Sequence, residues 1–159
     1  AAVQLVQSIM PMVWAQRPDA EVWLVGKDPS AEVRALANQR VIVTGGVDSM
    51  AAALQAATVS AAPIPYGAGI QNKVLEAMAC ATPVVASPQA ASALGAVAGS
   101  DYLRGDNPQE FADALLALLN DAQARASVGE AGRVYVEKHH TWAGAAARLE
   151  ALYTQPART

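Results

Sequence analysis

The stretch from Ala62 to Ser87, A-P-I-P-Y-G-A-G-I-Q-N-K-V-L-E-A-M-A-C-A-T-P-V-V-A-S, limits what this chain can fold into more than any other. An apolar strand ends at Ala62, and a loop punctuated by Pro63, Pro65, Gly67 and Gly69 follows. A helix begins near Asn72, and Pro83 leads into a second apolar strand. A strand, loop, helix, strand unit of this kind belongs to a parallel sheet. Two glycines ahead of a helix N-terminus let the backbone come close to a ligand, and the exposed N–H groups there favour an anion, with phosphate the natural candidate.

Lys73 falls in the first turn of that helix, where the macrodipole disfavours a cation by roughly 0.3–1 kcal/mol, so its presence suggests a negative charge nearby. Glu76, three residues on, shares its face. The alternative is that the two side chains pair with each other on a solvated surface, for about 0.2–0.5 kcal/mol. Spacing alone leaves both readings open.

The run G-A-G-I-Q-N-K-V-L-E-A-M-A-C-A-T-P-V-V-A-S resembles the donor-site signature of group 1 glycosyltransferases of the GT-B fold, the large retaining family 4. It is most similar to bacterial sugar transferases that make exopolysaccharide, including a subgroup found with exosortase systems. G-D-N-P-Q-E-F-A-D-A-L-L-A-L-L-N-D and H-H-T-W extend the resemblance over most of the chain. It implies an α/β fold, a Rossmann-like parallel sheet with helices on both faces, forming the C-terminal, nucleotide-sugar-binding half of the enzyme. Glu76 matches the family acid that holds the ribose hydroxyls of the donor nucleotide. The second family acid, which contacts the donor sugar in the resembling enzymes, would fall at Ala68 and is absent from this chain. Subgroups with G-x-G-x-x-x-K-x-x-E resemble this chain there, with Lys73 offering its charge to the diphosphate. Ala81, where the family often has Gly, is a smaller departure.

At 159 residues the chain makes one domain with a sizeable core. It is 53% hydrophobic but 5% aromatic, so Ala, Val and Leu must build that core, which suits close packing of helices on a sheet. A net charge of -3 without a Lys/Arg run argues against nucleic acid as a partner, and any phosphate affinity must be local. The single cysteine, Cys80, excludes an internal disulfide and fits a reducing compartment. It reads as a small packing residue rather than a nucleophile. No apolar run spans a membrane, and the start lacks a basic n-region. The resemblance implies a cytoplasmic protein, with peripheral membrane association through the full-length chain.

The chain opens inside an amphipathic helix carried by Val3, Val6, Ile9, Met10 and Val13, up to a break near Pro18. In the resembling family a strand and a loop precede this helix, so the sequence is expected to be an N-terminally truncated fragment, its acceptor-binding partner domain missing. Glu21 to Gly26 reads as a buried strand. Asp28-Pro29-Ser30 then gives an N-cap with proline at the first helical position, opening a helix to about Asn38. Val41 to Thr44 is the next strand, followed by the turn Gly45-Gly46-Val47 and a helix capped by Asp48 and running to about Ala57. Ligands of parallel sheets bind at the carboxyl ends of the strands, which puts Gly45-Gly46-Val47 and Pro65 to Asn72 on one rim. Gly46 and Val47 match the family loop beneath the nucleobase; a plain turn is the competing reading. UDP, GDP and ADP sugars all stay open.

Pro88 to Ser100 reads as a short helix and a loop, and Asp101 to Arg104 as a last strand. Asn107-Pro108-Gln109-Glu110 combines a cap, an N1 proline and a capping-box acid, opening a helix with Phe111, Leu115, Leu118 and Leu119 inward. A helix from about Ala122 to Lys138 ends at His139-His140, adjacent residues that cannot form an i, i+4 metal face. Thr141 caps the last helix, about 142–153, and Trp142 is expected to be a packing anchor, since this tail often crosses to the partner domain in the resembling family.

No P-loop, G-x-S-x-G or Asp-x-Asp motif occurs, and Asp19-Ala20-Glu21 lies before a strand, on the wrong rim for a catalytic metal. Gly67-x-Gly69 lacks the third glycine of the dinucleotide fingerprint, which weighs against an NAD-dependent oxidoreductase. The expected reading is the donor-binding domain of a retaining glycosyltransferase that uses no metal or other cofactor. Lys73 and Glu76 take the catalytic roles, and Gly46, Val47, Gly67, Gly69, Ile70, Gln71, Asn72, Lys73, Val74, Leu75 and Glu76 line the nucleotide-sugar site. The diphosphate is expected over the amides from Asn72 to Leu75. The rival readings are a non-catalytic nucleotide-sugar-binding or scaffolding module, motivated by Ala68, and half of a nucleotide-sugar epimerase.

Overall fold

The computed structural model describes residues 1–66 and 69–154. The expected first helix is present from Ala2 to Gln16, but in three pieces: α1 (Ala2–Gln4), a π-helical stretch (Leu5–Ile9) and α2 (Met10–Gln16). Pro11 accounts for the widening. It has no N–H to offer the carbonyl of Gln7 and its ring crowds that carbonyl, so the preceding turn opens instead of breaking. The wider turn moves Leu5 into the core beside Val6, Ile9, Met10 and Val13, and leaves Val3 partly buried.

Next come β1 (Val22–Val25), α3 (Ala31–Arg34), β2 (Val41–Gly45), α4 (Met50–Ala56) and β3 (Ser60–Ala62). They are followed by α5 (Asn72–Ala79), β4 (Val84–Ala86), α6 (Pro88–Ala91), β5 (Leu103–Arg104), α7 (Pro108–Asn120), α8 (Ala122–His139) and α9 (Trp142–Thr154). Every pairing between named strands is parallel, but the strands form two hydrogen-bonded groups, β1–β2 and β3–β4–β5, rather than one continuous sheet. The groups share a core: Val22, Leu24 and Val41 meet the same cluster as Ala61, Val85 and Leu103.

Helices lie on both faces, as strand β4 makes visible. All three of its residues are fully buried, and alternate side chains go to opposite sides. Val85 meets Ile9, Val13 and the inner face of α7, whereas Val84 and Ala86 meet Val74, Ala77 and Met78 of α5 and the α6 residues Ala90 and Ala91. Phe111, 2% exposed, is the largest fully buried side chain among the described residues and is worth about 1.5–3 kcal/mol of burial. Glycines bring α8 close to the end of α5 and to the turn before β5: a Cβ on Gly129 would clash with the Ala81 carbonyl oxygen, and one on Gly132 would meet Met78 Cγ at 3.1 Å and the Asp101 carbonyl oxygen at 2.9 Å.

Several boundaries differ from the sequence reading. Ser30, not Asp28, caps α3, its Oγ accepting from the Val33 N–H at 3.3 Å, and the helix ends at Arg34 rather than near Asn38. Asp28 instead takes a left-handed turn conformation (φ 51°), which short polar side chains tolerate. Ser49, not Asp48, caps α4, accepting from Ala52 N–H at 3.1 Å. Strand β1 is not fully buried: Trp23 is 61% exposed, on the side opposite Val22. On α7, Leu116 is buried and Leu119 only partly so, while Asn107 caps it as expected. Thr141 also caps as expected, accepting from Gly144 N–H at 3.1 Å, and Trp142 is 92% exposed, so it packs on little among the described residues. No helix among the described residues is long and apolar enough to cross a membrane.

Candidate functional site

The loop that organises the sequence leaves β3 at Ala62 and is gripped at its base. Pro63 and Ile64 are buried, and Ser87, just past β4, donates its hydroxyl to the Ile64 carbonyl at 2.7 Å. The same Oγ accepts from the Ile64 N–H at 3.1 Å and from the Ala90 N–H at 3.3 Å, where it caps α6. Beyond this clamp the chain turns outward: Tyr66 is 83% exposed and Ile70 is about half exposed. Gly69 has φ 80°, a conformation that favours glycine, so this residue is required by the turn. Gly67 and Ala68 lie outside the described residues.

Helix α5 begins after Gln71, which makes no side-chain cap. The Gln71 carbonyl accepts from Val74 N–H at 2.9 Å and, more weakly, from Leu75 N–H at 3.4 Å. That leaves Asn72 and Lys73 at the positions whose N–H groups have no intrahelical acceptor. The amide surface expected from Asn72 to Leu75 is therefore narrower, centred on Asn72 and Lys73. Val74 points its side chain into the core and Leu75 is partly buried, so neither offers an exposed side chain or a free N–H there. Asn72, Lys73 and Glu76 are exposed. Among the described residues the ion pairs within 4.0 Å are Arg17–Asp19, Arg104–Asp106 and Arg133–Glu137, so Lys73 and Glu76 do not pair with each other.

The other half of the expected site lies at the carboxyl end of β2. Gly45, with φ 71°, makes the turn; Gly46 has no such requirement. Gly46 lines an open cavity of about 680 Å³ with Lys27, Asp28, Pro29, Arg34, Val43, Thr44 and Gly45, and Val47 stands beside it, 40% exposed. Lys27 and Arg34 carry no sequence signal for this cavity, because a single cation in a loop or at the end of a one-turn helix has no periodicity and no motif. A second cavity, about 210 Å³, lies between the Pro63–Pro65 base, Ser87, Gln89 and the Gly105–Pro108 turn, with Gln4 and Ile9 on its far wall. Neither cavity is lined by Lys73 or Glu76. Among the described residues no group of three or more His, Cys, Asp or Glu is placed to hold a metal ion.

The sequence profile of the family described as glycosyl transferases group 1 matches residues 1–121. A GDP-mannose-dependent monoacylated alpha-(1-6)-phosphatidylinositol monomannoside mannosyltransferase of Corynebacterium glutamicum is 32% identical over 146 residues, covering 84% of this chain and 38% of that protein. Among solved structures, sucrose-phosphate synthase from Thermosynechococcus elongatus superposes with a TM-score of 0.77 at 27% identity, over 91% of this chain and 40% of that one. HepE of Anabaena in complex with UDP and glucose, at 20% identity, shares the fold with a TM-score of 0.72 over 92% of this chain and 44% of its own. The chain thus spans about two fifths of the mannosyltransferase it matches, 38% of its length. With a parallel α/β architecture, helices on both faces and a family match over three quarters of its residues, the chain belongs to the group 1 glycosyl transferases.

Proposed function

We propose that this chain is the donor-binding half of a retaining glycosyl transferase, which moves a sugar from a nucleoside-diphosphate sugar to a glycan or lipid-linked acceptor held by another domain. The observation that carries the proposal is the start of α5. The helix has no side-chain cap, it follows the carboxyl end of β3, and it holds in its first turn a lysine that forms no ion pair among the described residues. A helix end so arranged suits a diphosphate, bound by the Asn72 and Lys73 amides and neutralised by the Lys73 ammonium without a metal. In this reading Glu76, exposed one turn later, accepts hydrogen bonds from the ribose hydroxyls through its two carboxylate oxygens.

In this reading the chemistry is leaving-group stabilisation. As the glycosidic bond to the diphosphate breaks, negative charge grows on the departing oxygen, and preorganised donors at that point lower the barrier. Loss of one such donor typically costs about 10²–10³ in rate. Two relatives support the nucleotide assignment: the mannosyltransferase is named as GDP-mannose-dependent, and HepE was crystallised with UDP and glucose. Ala68 leaves a non-catalytic nucleotide-sugar-binding module as the second reading.

Calorimetric titration with GDP, UDP and ADP tests both. Saturable binding weakened by Lys73→Ala and by Glu76→Ala, with the fold intact, supports the donor site. Absence of binding for every nucleotide, or binding indifferent to both substitutions, overturns it. Turnover by the full-length enzyme, lost on Lys73→Ala, separates the transferase from the binding module.

A further inference from the structure

The cavity at the carboxyl ends of β1 and β2 carries two cations, Lys27 and Arg34, against one acid, Asp28, in a chain whose net charge is -3. Arg34 is tied back, its Nε donating to the Pro29 carbonyl at 2.8 Å. Lys27 is not in any of the three ion pairs formed by the described residues. Its stem lies over the glycine turn: a Cβ placed on Gly46 would sit 3.8 Å from Lys27 Cγ. The left-handed Asp28 turns the chain directly after Lys27, which fixes where the lysine leaves the backbone.

Gly46 offers a side-chain-free surface on which a planar ring can lie, and Lys27 stands at the edge of that surface. An ammonium has three donors and no acceptor. It therefore favours a ring edge that presents a carbonyl and disfavours one that presents an amino group. Guanine presents O6 beside N7, and a uracil-type ring presents O4, whereas adenine presents an amino group beside N7. We infer that Lys27 selects the donor nucleotide by its base, favouring the exocyclic carbonyl of guanine or uracil over the amino group of adenine. The inference rests on the donor-site reading above and adds to it the residue that discriminates among bases.

The test titrates GDP, UDP and ADP into the 159-residue chain and into Lys27→Met, which keeps the stem over Gly46 and removes the donor. Lys27 is exposed, so the variant keeps its fold, which a thermal melt verifies. The native chain is expected to bind GDP or UDP more tightly than ADP. In Lys27→Met the favoured nucleotide weakens about ten- to a hundredfold, the value of one charged hydrogen bond, while ADP is unchanged, so the preference collapses. Equal weakening of all three nucleotides would show that Lys27 acts on the phosphates and overturn the inference, as would a preference that survives the substitution. If binding depends on Lys73 and Glu76 but not on Lys27, this inference alone falls; if the native chain binds no nucleotide, the donor site falls with it.

Discussion

Ser87 and Ile64, 23 positions apart, exchange two hydrogen bonds: the serine hydroxyl donates to the isoleucine carbonyl at 2.7 Å and accepts from its N–H at 3.1 Å. The pair fixes the level at which the exposed loop leaves the core, and it stands one residue beyond the end of β4. In Ser87→Ala the Ile64 N–H keeps its bond to the Ala62 carbonyl, but the Ile64 carbonyl loses its donor and α6 loses its cap. A loss of about 1–3 kcal/mol is expected. Because the change slackens the loop and leaves the core in place, nucleotide affinity should fall with it. Thermal unfolding and titration of the same variant check both; undiminished affinity in a destabilised protein would show that the clamp does not position the site.

Ala81 closes α5 in a left-handed conformation, φ 55°, where a Cβ costs roughly 1 kcal/mol. Ala81→Gly is expected to raise the melting temperature by a few degrees, about 2–4 °C per kcal/mol for a chain of this length. The added freedom of glycine in the unfolded chain takes back part of the gain. A lower melting temperature would mean that the alanine methyl makes a packing contribution larger than its strain.

The opposite side of that contact predicts a large effect. Gly129 sits so close that a Cβ would lie 2.2 Å from the Ala81 carbonyl oxygen, which is backbone and cannot rotate away. Gly129→Ala must push α8 from α5 and open the layer that holds Met78 and Val84. A destabilisation of about 1–3 kcal/mol or more is expected, as for other overpacked cores. Chemical denaturation measures it directly, and Glu130→Ala on the exposed neighbour serves as the control that should cost little.

These contacts also show what the sequence made legible. The strand, loop, helix, strand unit around Asn72 could be read because proline and glycine punctuate it, and Asn107-Pro108 with Glu110 announced α7 by its cap. The caps at Ser30 and Ser49 were misplaced by one or two residues because Asp28 and Asp48 are equally good capping chemistry; backbone angles decided between them. The π-helical turn before Pro11 has no periodic signature. Lys73 and Glu76 were legible through their place on a helix, whereas Lys27 reaches its cavity only because two strands pair in parallel and bring β1 and β2 loops together. The division of the strands into two groups concerns pairing partners, which composition and periodicity do not encode.

Acid should weaken the fold at two exposed pairs. Asp19 is held below the usual carboxylate range by the Arg17 guanidinium that donates to it, and Asp106 likewise by Arg104. A carboxylate with a lowered folded pKa contributes stability that is fully present above its unfolded value, about 3.9, and is lost as pH falls through the folded one. The melting temperature is therefore expected to be insensitive to pH near neutrality, as far as these two carboxylates are concerned, and to decline below about pH 4. Arg17 also donates to the Leu119 carbonyl at 3.0 Å and to Asn120 Oδ1 at 3.0 Å, joining the end of α2 to the end of α7. The double variant Asp19→Asn, Asp106→Asn should show a shallower decline than the native chain; an identical acid limb would place the responsible carboxylates elsewhere.

Thr82 offers the last test, of a bond that ties α4 to the strand after α5. It is 3% exposed, and its hydroxyl donates to the Leu54 carbonyl at 2.8 Å. Thr82→Val preserves shape and removes the donor; the Leu54 carbonyl keeps its bond from the Ala57 N–H at 3.1 Å, so the expected cost is that of one hydrogen bond, about 0.5–1.5 kcal/mol. Thr82→Ser keeps the bond and gives up one methyl group, worth about 0.8 kcal/mol of burial. Valine should therefore cost at least as much as serine although it is the more hydrophobic residue, if the hydrogen bond is what secures α4. Amide hydrogen exchange should show the loss concentrated in Met50–Ala56, the helix whose last turn the bond holds. If serine destabilises more than valine, packing rather than the hydrogen bond secures α4.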